Sequence, residues 1–284
     1  MQKSIPQRPG KVQQITAVSN LRVKSVRALA MKKTRDDTGT FMVEGMKLVR
    51  DAFDNGWIIR TLIYSSAYAE NNNALSELAA SVRARGGDIL EVNDKVLSSI
   101  TRRDNPQMVV GVMEQRWSDA ISNIDDAHTV MVALDRVRDP GNLGTIIRTS
   151  DCAGVDGIIL VGETTDPFSV EATRASMGSI FNVPLVRMTE DEFLDYRGKW
   201  PGLVAGTHLA GATDYRNVDF KSQPVLLLMG NEQQGLPDSL AETCDKLILI
   251  PMAGSADSLN LAIATGIMLF HMGKRLPPME GITG

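Results

Sequence analysis

Three times in its second half, this 284-residue chain runs an apolar stretch into a turn rich in Gly, Pro and Asn and then toward a helix. The first instance is Leu134-Asp-Arg-Val-Arg-Asp-Pro-Gly-Asn-Leu-Gly-Thr-Ile-Ile-Arg148. The second is Leu226-Leu-Leu-Met-Gly-Asn-Glu-Gln-Gln-Gly235, and the third is Ile250-Pro-Met-Ala-Gly-Ser-Ala-Asp-Ser-Leu-Asn260. Runs such as Val225-Leu-Leu-Leu-Met229 are apolar throughout, the pattern of parallel strands covered on both faces. Parallel strands end at one edge of their sheet, so the three turns are predicted to meet there, where ligands bind open α/β sheets.

The rest of the chain predicts an α/β protein of two domains. A hydrophobic content of 43% supports a sizeable core. Residues 1–18, with Pro6, Pro9 and Gly10, read as a flexible tail. Over 19–115 helical and strand patterns alternate, which predicts a small layered domain. In its first helix Leu21, Val26, Leu29 and Ala30 can share one face. Residues 116–128 are polar and hold Asp119, Asp125 and Asp126, so they read as a linker to a second domain over 129–284. The last helix, Ser258 to Met272, contains no Lys, Arg, Asp or Glu and is apolar around most of its circumference. Such a helix is buried on more than one side, and a second subunit is the expected second cover.

Charge narrows the partners. The net charge is −4, but residues 1–50 hold 11 Lys/Arg against 3 acids, a local +8 that leaves −12 elsewhere. A basic front on an acidic body suits a localised contact with phosphates, and Arg22, Lys24, Arg27, Lys32 and Lys33 are the candidates. No apolar run reaches the roughly 18 residues of a membrane span, so a soluble, cytoplasmic protein is expected. Cys152 and Cys244 lack metal-ligand spacing, and His128, His208 and His271 fall in a linker, a strand-end loop and an apolar helix, so no metal is expected. There is no G-x-x-x-x-G-K-[ST] sequence, and Gly141-Asn-Leu-Gly144 has the wrong spacing for a dinucleotide turn. What the three turns do offer is Asn142, Arg148, Asn231, Glu232, Ser258 and Asn260, a set suited to positioning and electrostatics rather than to nucleophilic or metal catalysis.

Asp139 to Arg148, Met229 to Leu236 and Ile250 to Asn260 together resemble the three ordered motifs of the SpoU (TrmH) family of RNA 2'-O-ribose methyltransferases. Residues 20–115 resemble, less specifically, the L30e-like substrate-binding domain of ribosomal-RNA members. One departure is Asp257, where many members carry Glu; the carboxylate is kept. The resemblance implies a C-terminal trefoil-knotted parallel-sheet methyltransferase domain, a homodimer with the site at the subunit interface, and S-adenosyl-L-methionine as cofactor. It places the cofactor on main-chain groups around Thr207, Met229, Gly230, Ile250, Met252 and Leu259. Arg148 matches the family's catalytic arginine. Because a guanidinium is always charged near neutrality, an electrostatic role at the ribose oxygen is favoured over a role as base. Asn142 is expected to orient the hydroxyl or Arg148, and Glu232 to fix Arg148 or a loop N–H. Ser258 and Asn260 are candidate catalytic residues bordering the site, with capping of the last helix as the alternative role. Arg136, Arg138 and Arg174 are further candidates for RNA contact. The expected reaction is methylation of a ribose 2'-hydroxyl in structured RNA, with ribosomal RNA as the expected substrate. The alternatives are a tRNA methyltransferase, a non-catalytic RNA-binding or ribosome-assembly protein of the same fold, and an ordinary Rossmann-type enzyme.

Overall fold

The computed structural model describes residues 8–273 except 71, 122, 123, 125 and 209–212. In chain order its first elements are β1 (Val12–Ile15), α1 (Leu21–Ala28), α2 (Lys32–Thr38), β2 (Thr40–Glu44), α3 (Met46–Asp54) and β3 (Ile59–Ser65). They are followed by α4 (Ser66–Ala69), α5 (Asn73–Ala84), β4 (Asp88–Val92), α6 (Asp94–Thr101) and β5 (Val109–Glu114). The second half holds β6 (Val130–Asp135), α7 (Pro140–Ala153), β7 (Gly157–Val161), α8 (Val170–Ala175), β8 (Leu185–Met188), α9 (Glu190–Arg197) and β9 (Leu203–Thr207). β10 (Thr213–Asp214), β11 (Val225–Met229), α10 (Asp238–Ala241), β12 (Lys246–Leu249) and α11 (Leu261–Met272) complete it.

These elements form two compact units. One comprises Met1–Gln115 together with Phe168–Phe181, and the other Arg116–Pro167 with Asn182–Gly284. The first unit carries a mixed five-stranded sheet in the order β1-β4-β3-β5-β2, with a core that includes Val23, Val26, Ile63, Leu90 and Leu97. The expected flexible tail over 1–18 is corrected in part: Val12–Ile15 pairs in parallel with β4, and Gly10 lies against the Gly87 carbonyl, where a Cβ would come within 1.8 Å. A strand reading Val-Gln-Gln-Ile at a sheet edge buries only Ile15, so its pattern carries little signal. Residues 1–7 of that tail lie outside the described residues. The expected face of the first helix is also corrected. Leu21 is 80% exposed, while Val23, Val26 and Leu29 are buried, a spacing that suits the helical period better.

Phe168–Phe181, expected within the second domain, packs in the first unit instead. Phe168 stacks on Phe41 at 4.8 Å between ring centres, Trp57 Nε1 donates to the Phe181 carbonyl at 3.1 Å, and α8 lies on β2. Burying aromatic rings of this size is worth about 1.5–3 kcal/mol each.

The second unit carries a seven-stranded sheet in the order β10-β12-β9-β11-β6-β7-β8, and its neighbouring strands pair in parallel. β11 and β6 are adjacent and in register from Val225 opposite Val130 to Met229 opposite Leu134, so the first two turns leave the sheet side by side. β12 sits two places from β11, across β9. The stretch expected as a linker is laid over this unit: Ser118 N donates to the Leu185 carbonyl at 2.8 Å, the Tyr196 hydroxyl to the Ile121 carbonyl at 3.1 Å, and Ala120, Ile121 and Ile124 pack on the core. Asp125 lies outside the described residues. Within the described residues no helix is long and apolar enough to cross a membrane.

Candidate active site

The first turn is shorter than its glycines suggest. α7 begins at Pro140, not after Gly144, because Asp139 caps it through the Asn142 amide at 2.6 Å and Pro140 supplies a ready helical φ at the first position. Asn142 therefore stands in the first turn of α7 with its side chain fixed. Its Nδ2 donates to Glu232 at 3.3 Å, and its Oδ1 accepts from Asn260 Nδ2 at 2.8 Å. Asn260 in turn uses its Oδ1 to accept from the Ala262 and Ile263 amides, at 2.9 and 3.3 Å, and so caps α11.

The polarity of this chain is set at both ends. A carboxylate only accepts and backbone amides only donate, so each asparagine between them has one allowed orientation. Glu232 also accepts from the Arg138 and Asp139 amides, at 3.2 and 3.3 Å, just ahead of the α7 N-terminus. Of the two roles expected for Glu232, the loop N–H role is the one the structure carries.

A second tie holds the same loops from behind. Asn231 Nδ2 donates to the Arg136 carbonyl at 2.7 Å, while its Oδ1 accepts from the Gln233 and Gln234 amides. Asn231 and Gly235 form a bridge that folds the second loop back on itself. Gly230 is required by that fold, since a Cβ there would lie 2.3 Å from the Gly235 carbonyl carbon. The ties through Asn231 were not expected from the sequence; an Asn followed by two residues whose amides it can accept is the signal that was available.

Together these groups line a cavity of about 320 Å³ bounded by Arg138, Asp139, Asn142, Glu232, Gln233 and Asn260. Arg148 does not line it. Six residues beyond Asn142, it sits about 9 Å further along α7 and on another side of the helix. It is exposed, and among the described residues it has no hydrogen-bond or ion-pair partner. Ser258 is exposed and makes no hydrogen bond among the described residues, so the cap of α11 belongs to Asn260 alone.

Of the expected cofactor residues, Thr207, Met229, Gly230 and Ile250 stand at the ends of β9, β11 and β12, while Met252 and Leu259 lie in the segment between β12 and α11. Thr207 closes β9, and its Oγ1 donates to Met229 Sδ at 3.6 Å at the end of neighbouring β11. Met229 and Gly230 are buried, while Ile250 and Leu259 are half-buried and Met252 is 38% exposed. From 251 to 258 the residues are exposed and form no hydrogen bond among the described residues, so their main-chain donors and acceptors are unspent.

The expected RNA contacts divide. Arg136, at φ 46, is committed to the buried Asp135 through Nε and Nη2 at 2.8–3.1 Å, and that pairing pushes its pKa above the ordinary arginine value. Arg174 donates through Nη2 to both Glu44 oxygens at 2.8 Å. Arg22 pairs with Asp88 at 2.6 Å, Lys32 with Asp36 at 2.7 Å, and Arg27 donates to Ser99 at 3.1 Å. Lys24, Lys33 and the Arg138 side chain have no partner among the described residues.

Residues 129–270 match the SpoU rRNA Methylase family, and residues 20–111 match the MRM3-like substrate binding domain. The chain belongs to the SpoU family. Among SpoU relatives, it is 30% identical to the Bacillus subtilis 23S rRNA (guanosine(2553)-2'-O)-methyltransferase RlmP, over 92% of this chain and 99% of that protein. It is 34% identical to the 23S rRNA (uridine(2479)-2'-O)-methyltransferase of Streptomyces viridochromogenes, over 86% of this chain and 85% of that one. Among solved SpoU structures, the AdoMet-bound rRNA methyltransferase from Sinorhizobium meliloti superposes with a TM-score of 0.87 at 56% identity, covering 94% of this chain and 100% of that one. The α/β parallel-sheet fold behind a substrate-binding domain is thus that of SpoU methyltransferases.

Proposed function

We propose that this SpoU protein is an S-adenosyl-L-methionine-dependent methyltransferase that modifies a ribose 2'-hydroxyl in ribosomal RNA. The observation that carries this reading is the Glu232–Asn142–Asn260 chain, which joins all three strand-end loops around one cavity. Relatives that align over nearly the whole chain are named as 23S rRNA 2'-O-methyltransferases, which supports ribosomal over transfer RNA.

The residues fit the cofactor. A loop with no Cβ at Gly230 and an open segment of unspent main-chain groups over 251–258 suit recognition through backbone, with Thr207, Met229, Gly230, Ile250, Met252 and Leu259 as the holders. Bound there, S-adenosyl-L-methionine supplies an electrophilic sulfonium methyl. The chain's task is then to present the ribose oxygen and stabilise it. Asn142, locked between Glu232 and Asn260, offers a fixed amide at the cavity wall. Arg148 stabilises negative charge on the 2'-oxygen and holds the neighbouring phosphate.

Arg148 lies outside the cavity of its own chain, so we infer that a second copy completes the site. Ile263 and Phe270 of α11 are 56% and 49% exposed, which supports a homodimer covering this apolar helix. The β10-β12-β9 strand order is compatible with the chain after Ile250 threading a loop, as the family's trefoil knot requires. An RNA substrate supports a cytoplasmic location.

The decisive test is Arg148→Ala. Methyl transfer to 23S rRNA is expected to fall at least ~100-fold, with cofactor affinity by calorimetry unchanged. Transfer at the wild-type rate refutes the role given to Arg148.

A further inference from the structure

Glu44, at the end of β2, has a side chain only 4% exposed, and two guanidinium groups converge on it. Arg174 reaches both carboxylate oxygens through the single nitrogen Nη2 at 2.8 Å, and Arg103 approaches with Nε at 3.9 Å. One buried carboxylate needs one guanidinium for neutrality, so this cluster holds a surplus of positive charge. The donors are also underused. Arg174 Nε is buried without an acceptor and out of a ligand's reach, but its Nη1 has no partner among the described residues, and Arg103, 42% exposed, makes no hydrogen bond among them.

Next in the chain to Arg103 is Arg102, which ends α6 in the left-handed region at φ 55. Glycine is the unstrained residue for that position, and a long cation held there costs conformational energy that no hydrogen bond or ion pair among the described residues offsets. The acid beside this pair is Asp104, exposed and likewise unpaired among the described residues. The same loop approaches the start of α3, since a Cβ on Gly45 would stand 3.5 Å from Gln107 Oε1.

We propose that Arg103 and Arg174 beside Glu44, together with Arg102 next in the chain to Arg103, form an RNA phosphate-binding site on the first unit. Guanidinium groups with free planar donors match the several acceptor oxygens of a backbone phosphate, and a buried carboxylate holds one of them in place without cancelling all three. The site uses none of the lysines and arginines of α1 and α2, of which Arg22, Arg27 and Lys32 are engaged with Asp88, Ser99 and Asp36. It rests on the reading of the protein as an RNA methyltransferase.

The test is the double variant Arg102→Gly/Arg103→Gln, which leaves the Arg174–Glu44 pair intact and relieves the strained position. Binding to 23S rRNA transcribed in vitro is measured across a salt series, beside a charge-matched control, Arg85→Gln/Lys95→Gln. The expected result is a dissociation constant raised ~5-fold or more and a salt slope shallower by about 1 per arginine engaged with phosphate. The melting temperature is expected to be unchanged or higher, and cofactor binding unchanged. Wild-type affinity and slope in the double variant, or an equal loss in the control, overturn the proposed site and leave the methyltransferase reading standing. If the wild-type protein neither binds nor methylates ribosomal RNA, that reading falls and the phosphate site falls with it.

Discussion

At the scale of single residues, the candidate site depends on a few groups whose roles follow from hydrogen-bond polarity and close backbone approach. Gly230 tolerates no side chain, because its Cβ would strike Gly235 backbone rather than a yielding side-chain end. Gly230→Ala is expected to open the second loop, cost about 2 kcal/mol or more of stability, and weaken cofactor binding by at least ~10-fold in calorimetry. Binding at wild-type strength would show that this loop does not hold the cofactor. Arg174→Ala strands Glu44 with only Arg103 at 3.9 Å and is expected to cost about 3 kcal/mol in denaturant unfolding. Glu44→Gln/Arg174→Met is expected to recover most of that loss, because no charge is then buried alone. Asn142, Glu232 and Asn260 were legible in the sequence because three short motifs carry them. The partners of Arg136 and Arg174 were not. Arg174 meets an acid 130 positions away, and such a pairing leaves no trace in local spacing. Arg136 is held beside its own neighbour Asp135, but only the left-handed backbone brings the two together.

At the scale of elements, the apolar run Val225–Met229 located β11 well, since a strand buried on both faces announces itself by composition. Helix starts were harder. The Gly-Asn-Leu-Gly stretch reads as a turn, yet Asp139 and Pro140 outweigh its glycines and draw it into α7. Asp139→Ala is therefore expected to remove about 1 kcal/mol of helix stability, lowering the melting temperature by about 2–4 °C. It is also expected to reduce methyl transfer more than cofactor binding, because Asn142 loses its fixed place. Equal losses in both would show that the cap acts only on stability. β1 was missed for a different reason: an edge strand with two glutamines at its centre buries too little to display a period of two.

At the scale of the whole molecule, the charge-free last helix gave the clearest forecast from sequence, and it leads to a test of assembly. Ile263 and Phe270 remain well exposed on α11 while Met268, Leu269 and Met272 are buried. Ile263→Glu/Phe270→Glu is expected to convert the proposed dimer into a monomer in light scattering and to abolish methyl transfer. A variant that stays dimeric and active would remove α11 from the interface. One segment left no mark of its destination in the sequence: Phe168–Phe181 belongs in space to the unit whose other residues end at Gln115. Phe41, Trp57 and Glu44 help define that destination, and none lies near the segment in sequence. This placement bears on how the protein is made. A ribosome delivers residues in order, so the first unit waits for its closing piece until β6, α7 and β7 of the other unit have already been translated. The N-terminal half is therefore not a detachable module: cut after Gln115, it would leave the ring of Trp57 and the carboxylate of Glu44 without the Phe181 and Arg174 groups that cover them, and evolution could exchange it only together with that inserted stretch.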